Sequence, residues 1–118
     1  MISAGAASRR LEAAPPADQA IALLRGALDA AAAPAVRERL IGMLHDGTDR
    51  LILDLSRVLS CDQAGLAVLI GIQRRARLLG ITVCLAAPTL PVVDLLRATG
   101  LDRRFTIYPD LPSALRPS

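Results

Sequence analysis

The sequence predicts an α/β fold: a small mixed, mostly parallel sheet of four to five strands flanked by about four helices. Three observations predict it. Short apolar runs alternate along the chain with segments of helical period, and strands joined through helices favour parallel pairing with right-handed crossovers. The run Leu51 to Leu55 (LILDL) is apolar except for one Asp, the pattern of a strand covered on both faces. Finally, 53% of the 118 residues are apolar and only 2% aromatic, so the core is built from Leu, Val, Ile and Ala. At this length the chain is one domain.

Residues 1–17 are rich in Ala, Ser and Pro, and Pro15-Pro16 stops any helix begun at Arg9. They read as an N-terminal tail, or as a weak edge strand around Arg9 to Ala13 that turns back at the prolines. Gln19 to Leu24 (QAIALL) reads as a strand, with Gly26 to Asp29 as its end and turn. Pro34 suits a first helical turn, and Val36, Leu40, Met43 and Leu44 recur at helical spacing. Gly47 is the expected stop. His45, the only histidine, is expected in the last turn, complementing the carbonyl end of the helix.

After the strand Leu51 to Leu55, Asp54 is expected at the C-terminal end, within reach of water or a loop backbone. Ser56 to Cys61 reads as a loop. Asp62 is then well placed as an N-cap, its carboxylate accepting from unpaired backbone N–H groups at the positive end of the helix dipole. Leu66, Leu69, Ile72, Ala76 and Leu79 follow at spacings of three and four, with Arg74, Arg75 and Arg77 elsewhere and Gly80 as the stop. Gly65 and Gly71 each cost about 1 kcal/mol of helix stability against Ala. Gly65 either keeps the helix start flat and its backbone approachable, or serves close packing on the sheet. Ile81 to Ala86 is a further buried strand, and Pro91 opens a helix over Val92 to Thr99 that Gly100 stops. Phe105 to Tyr108 is the last strand, and Asp110 caps a terminal turn or helix (DLPSALR).

Charge and composition exclude several kinds of chemistry. All 14 basic residues are arginine, the net charge is +3, and the Arg-Arg pairs at 9–10, 74–75 and 103–104 form no dense run. With almost no aromatics for bases to stack on, direct nucleic-acid binding is not indicated. A chain without lysine has no G-x-x-x-x-G-K-[ST] phosphate loop, and neither G-x-G-x-x-G after a strand nor G-x-S-x-G occurs. One His with two separated cysteines, Cys61 and Cys84, supplies little for a metal site or a Cys-His pair, so no metal, cofactor or catalytic residue is expected. The cysteines read as reduced buried thiols. The longest apolar run, Ala64 to Ile72, is too short to span a bilayer. The opening MISAGAASRR lacks a charged n-region followed by an apolar stretch, so a cytoplasmic protein without secretory signal is expected.

The motifs, taken in order, resemble a known family. LLRGALDAAAAPAVRERL (23–40) has a strand, then G-x-L-D, then a helix; LILDLSRV is a central strand. DQAGLAVL fits a D-S-x-G-L-x-x-L signature at Asp62, Gly65, Leu66 and Leu69. TGLDRRFTIYP (99–109) followed by SAL completes the pattern. Each alone is weak; four in sequence resemble the STAS domain (sulphate transporter and anti-sigma factor antagonist) over residues 18–115, so residues 18–118 are assigned to it.

The resemblance implies a protein-binding role rather than an enzyme. Bacterial anti-sigma factor antagonists of this family bind an anti-sigma factor with a kinase-type ATPase fold, which then releases a sigma factor. In many members that partner phosphorylates the serine after the signature Asp, ending binding. Here that position is Gln63, followed by Ala64, and neither accepts a phosphoryl group. The implied reading is a chain that stays binding-competent, with a surface of Asp29, Asp62, Gln63, Ala64, Gly65 and Leu66 extending along the outer helix face toward Val68. Ser60 is the best substitute phosphosite, with Ser56 and Thr89 behind it. The likeness extends to the STAS subunit that docks on the ATPase of bacterial lipid-transport ABC complexes, an alternative partner. A homodimer stays open, and no membrane insertion is expected.

Overall fold

The computed structural model describes residues 18–115. Its elements are β1 (Gln19–Leu28), α1 (Ala33–Ile41), β2 (Arg50–Cys61), α2 (Gln63–Leu78), β3 (Thr82–Ala86), α3 (Leu90–Thr99), a 3-10 turn (Leu101–Arg103), β4 (Thr106–Tyr108) and α4 (Leu111–Ala114). The four strands lie side by side in the order β1-β2-β3-β4, and every pairing is parallel. The sheet described is thus wholly parallel rather than mixed. The fifth strand considered around Arg9 to Ala13, and the tail reading of residues 1–17, fall outside the described residues.

Consecutive order has a consequence for layering. Right-handed crossovers that all step in one direction put their helices on one face of the sheet. One cluster accordingly joins Leu40 of α1, Leu66, Leu69 and Ile72 of α2, and Val92 and Leu96 of α3 to Leu51, Leu53 and Leu85 of the strands. Burying each such Leu or Ile contributes about 1.5–3 kcal/mol. The opposite face is covered differently. There Ile52 and Ala86 meet Ala114 of α4, with Ile21 and Tyr108 alongside. Buried Arg50 sits under α4, its guanidinium donating to the Ala114 carbonyl and lying 5.9 Å from the Tyr108 ring centroid.

The largest departure from the sequence reading is the length of β1 and β2. Ser56 to Cys61, expected as a loop, continues β2 and pairs with Arg25 to Leu28 of β1. β3 pairs only with Arg50 to Asp54, so this part of β1 and β2 is a two-stranded ribbon standing beyond the sheet. Within its β2 half only Val58 is buried, and this contact with water explains the polar composition that hid it as a strand. The register slips twice along it, between Leu23 and Arg25 and between Gly26 and Ala27. At the first slip β2 holds the extra residue. There Asp54 Oδ1 accepts the Ser56 N–H at 3.0 Å. Asp54 is therefore a mid-strand residue whose carboxylate satisfies a bulge amide, not a strand terminus. At the second slip Gly26 takes φ +77°, a left-handed conformation that glycine adopts without strain.

α1 is shorter than expected. It ends at Ile41 with Gly42 as its cap, and two further turns carry the chain onward, Met43 N–H to Leu40 C=O and Leu44 N–H to Ile41 C=O. His45 consequently lies beyond the helix, exposed, with Nδ1 donating to the Asp46 carbonyl at 3.1 Å; it does not complement the helix end. α2 ends as expected at glycine. Gly80 N–H donates to Arg77 C=O and Ile81 N–H to Ala76 C=O, a Schellman closure with Gly80 at φ +76°. Pro91 falls one residue deeper than its expected place, because α3 starts at Leu90.

Candidate functional site

The ribbon ends where the signature begins. Leu28 and Cys61 are the last paired residues of β1 and β2, so Asp29 and Asp62 follow on neighbouring strands. Each carboxylate is committed to backbone. Asp29 Oδ1 accepts the Ala32 N–H at 3.0 Å and its carbonyl accepts the Ala33 N–H, which turns the chain into α1. Asp62, in extended conformation, accepts the Gly65 N–H at 3.0 Å and caps α2. The two turns are also tied to each other: the Asp62 N–H donates to the Leu28 carbonyl at 3.2 Å.

Gly65 occupies the resulting gap. A Cβ there would overlap the Leu28 carbonyl oxygen and crowd the Leu28 side chain. Of the two roles open for this glycine in the sequence, close packing on the sheet is the one the geometry gives. The glycine is buried, as are Leu66 (4% exposed) and Val68 (1% exposed). Val68 therefore does not lie on the outer face of α2 as expected; it faces the core. The exposed stripe consists of Gln63, Ala67, Gly71 and Arg74, at the spacings of three and four that keep one helical face in water. Ala64 is half-buried, and Gln63 is the exposed side chain directly after the cap.

Two leucines missed by sequence reasoning stand at the same end. Leu59, on the ribbon, is 77% exposed, and Leu90, at the start of α3, is 70% exposed. The Thr89 hydroxyl donates to the Val58 carbonyl at 2.7 Å, which holds the two leucine-bearing segments together. The signal available in sequence was faint: Leu59 sits at an outward position in a segment not recognised as a strand. Of the substitute phosphosites, Thr89 spends its hydroxyl on that bond, while Ser56 and Ser60 are exposed.

Cys61 is half-buried beneath the cap, and its Sγ donates to the Asp62 carbonyl at 3.6 Å. Burial, reinforced by the negative Asp62, pushes the thiol up to about 11, so it is protonated near neutral pH and a poor nucleophile. Cys84 is fully buried in β3. Among the described residues no three His, Cys, Asp or Glu side chains converge to hold a metal ion. No helix among the described residues is long and apolar enough to cross a membrane.

A profile of the STAS domain matches residues 14–114, nearly the whole chain. The chain belongs to the STAS domain family. Solved structures agree with the fold. A candidate anti-sigma factor antagonist from Thermotoga maritima is 27% identical, with a TM-score of 0.71 over 80% of this chain and 83% of that one. A sulfate transporter family protein from Wolinella succinogenes is 21% identical, with a TM-score of 0.73 over 86% and 85%. The anti-sigma factor antagonist SpoIIAA, solved in its unphosphorylated form, is 18% identical, with a TM-score of 0.66 over 80% and 84%. Among curated proteins none matches the sequence. In this STAS domain the signature aspartate, glycine and first leucine are building residues: one caps, one admits a carbonyl, one enters the core.

Proposed function

We propose that this STAS domain is an anti-sigma factor antagonist that acts by binding, without catalysis. Its partner is an anti-sigma factor of kinase-type ATPase fold, and binding frees a sigma factor. The observation that carries the reading is Gln63. It is exposed at the first position of α2, directly after the capping Asp62, at the end of the molecule that the signature builds. The resemblance to the Thermotoga maritima protein, a candidate for the same role, supports the partner class.

Asp29, Asp62 and Gly65 form the scaffold of the docking end, and Gln63, Ala64, Ala67 and the exposed Leu59 and Leu90 form its surface. A phosphoserine at this position would add about −1.5 to −2 of charge at the helix start. The helix dipole tolerates such an anion, so the fold would survive while the surface turned against an apolar or acidic partner. Gln63 has no hydroxyl to phosphorylate and keeps hydrogen-bonding capacity. The chain therefore stays in the binding-competent form, without a switch at the usual position.

The test is capture of the tagged protein from its native cytosol with mass spectrometry of what co-purifies, followed by affinity measurement with Gln63→Glu. A kinase-type anti-sigma factor whose affinity falls about tenfold or more with Gln63→Glu supports the reading. Unchanged affinity removes Gln63 from the interface. Capture of an ABC ATPase moves the protein to the second reading, a transport-associated STAS subunit. A sulfate transporter family protein, 21% identical, has the same fold.

A further inference from the structure

At the other end of α2 the sheet has a notch. β3 begins at Thr82, but its pairing with β4 starts only at Cys84 and Thr106. The edge of β3 at Thr82 and Val83 therefore has no strand beside it among the described residues. The last turns of α2 close one side of the gap, and the chain leading into β4 closes the other. Gln73 ties the two together, its Nε2 donating to the Arg104 carbonyl at 2.6 Å. The result is a cleft of about 430 Å³, within the size range of small-molecule sites.

Its lining is one-sided in charge. Arg77 and Arg104 contribute cations, Gln73, Thr82 and Thr106 are neutral and polar, and no carboxylate takes part. Neither arginine is ion-paired with a carboxylate among the described residues. The carbonyl end of α2, which would repel an anion, is closed on itself by the Gly80 and Ile81 amides. Two guanidiniums without ion pairs beside a concavity suit a phosphate in charge, and a guanidinium in general carries the fork of donors from which a phosphate accepts. The unpaired stretch of β3 is only two residues long, too short for an added peptide strand.

We propose that this cleft binds a small phosphorylated ligand, its phosphate held between Arg77 and Arg104. Arg77 lies about 20 Å along α2 from Gln63, so the site is separate from the docking end and rests on none of the partner assignment.

The experiment is an NMR titration of the 15N-labelled full chain with inorganic pyrophosphate at constant ionic strength, with citrate as a carboxylate comparison. Saturable shifts are expected at the amides around Arg77, Gly80, Thr82, Arg104 and Thr106, with Gln63 unmoved. Arg77→Gln/Arg104→Gln should weaken binding by about tenfold or more, as the loss of charge-assisted hydrogen bonds requires. Its spectrum checks that it is folded, and Arg77→Gln alone serves if it is not. The proposal fails if shifts do not saturate, or if Arg25, Arg37, Arg57 and Arg97 respond equally. It also fails if the folded variant binds undiminished, or if citrate binds as tightly as pyrophosphate.

Discussion

The first turn of α2 and its last turn are both surface features of one helix, yet they are assembled in opposite ways. At the first turn the polar groups of Asp62 are used to build the fold. Asp62 caps, the Leu28 carbonyl receives the Asp62 amide, and Gly65 lets backbone approach backbone. At the last turn the backbone closes on itself at Gly80, and the arginine side chains are left unspent. The contrast separates two kinds of charged residue. Carboxylates at the signature end bond to the backbone that shapes it, whereas the guanidiniums of Arg77 and Arg104 form no ion pair among the described residues.

The sharpest break in that contrast comes from two glycines of the same helix. Gly65→Ala forces a Cβ into the Leu28 carbonyl and should destabilise by about 2–4 kcal/mol, seen as a fall in the urea midpoint. Next, Asp62→Ala should cost about 1 kcal/mol through loss of the cap, while Asp62→Asn restores most of it. Gly71→Ala meets open space in the helix interior and should stabilise by about 0.5–1 kcal/mol, the opposite sign to Gly65.

Cys61 tests the signature end through pH. Its folded pKa is raised to about 11, so its contribution to stability is complete below the ordinary thiol value near 9 and is lost as pH rises through 11. At pH 8 its alkylation by iodoacetamide should run about a hundredfold slower than that of an unfolded thiol, in line with its thiolate fraction. The smallest effect belongs to the far end: Arg77→Gln and Arg104→Gln should each change stability by less than about 0.5 kcal/mol in urea titrations. A larger loss would make these arginines structural after all and erase the contrast.

The helical repeat of α2 and the glycine at its end were legible because periodicity and a positive-φ stop leave marks in the residues themselves. The start of the helix was legible too, because Asp62 and the apolar stripe behind it agree. Ser56 to Cys61 was not. A bulged ribbon paired on one edge and wet over most of its surface lacks the alternation that reveals a strand, and its bulge bond from Asp54 resembles any loop turn. Val68 was misplaced because an apolar residue among small ones can face either way until the sheet beneath is known. Exposed Leu59 was lost with the ribbon. The signature end was thus readable as a motif, but its exposed skin was not. The cleft was invisible, since it arises from a strand that begins two residues late.

The sheet's wholly consecutive order also bears on how the chain is made. Each strand pairs with the one emitted just before it, the paired residues lying about thirty apart in sequence at β1–β2 and β2–β3 and about twenty apart at β3–β4. Among the described residues no strand waits for a distant partner, so a nascent chain can add each strand-and-helix unit to an edge already formed, in the direction of synthesis. The short β4 arrives last. Until it does, the growing edge of β3 is the segment most in need of protection from other chains.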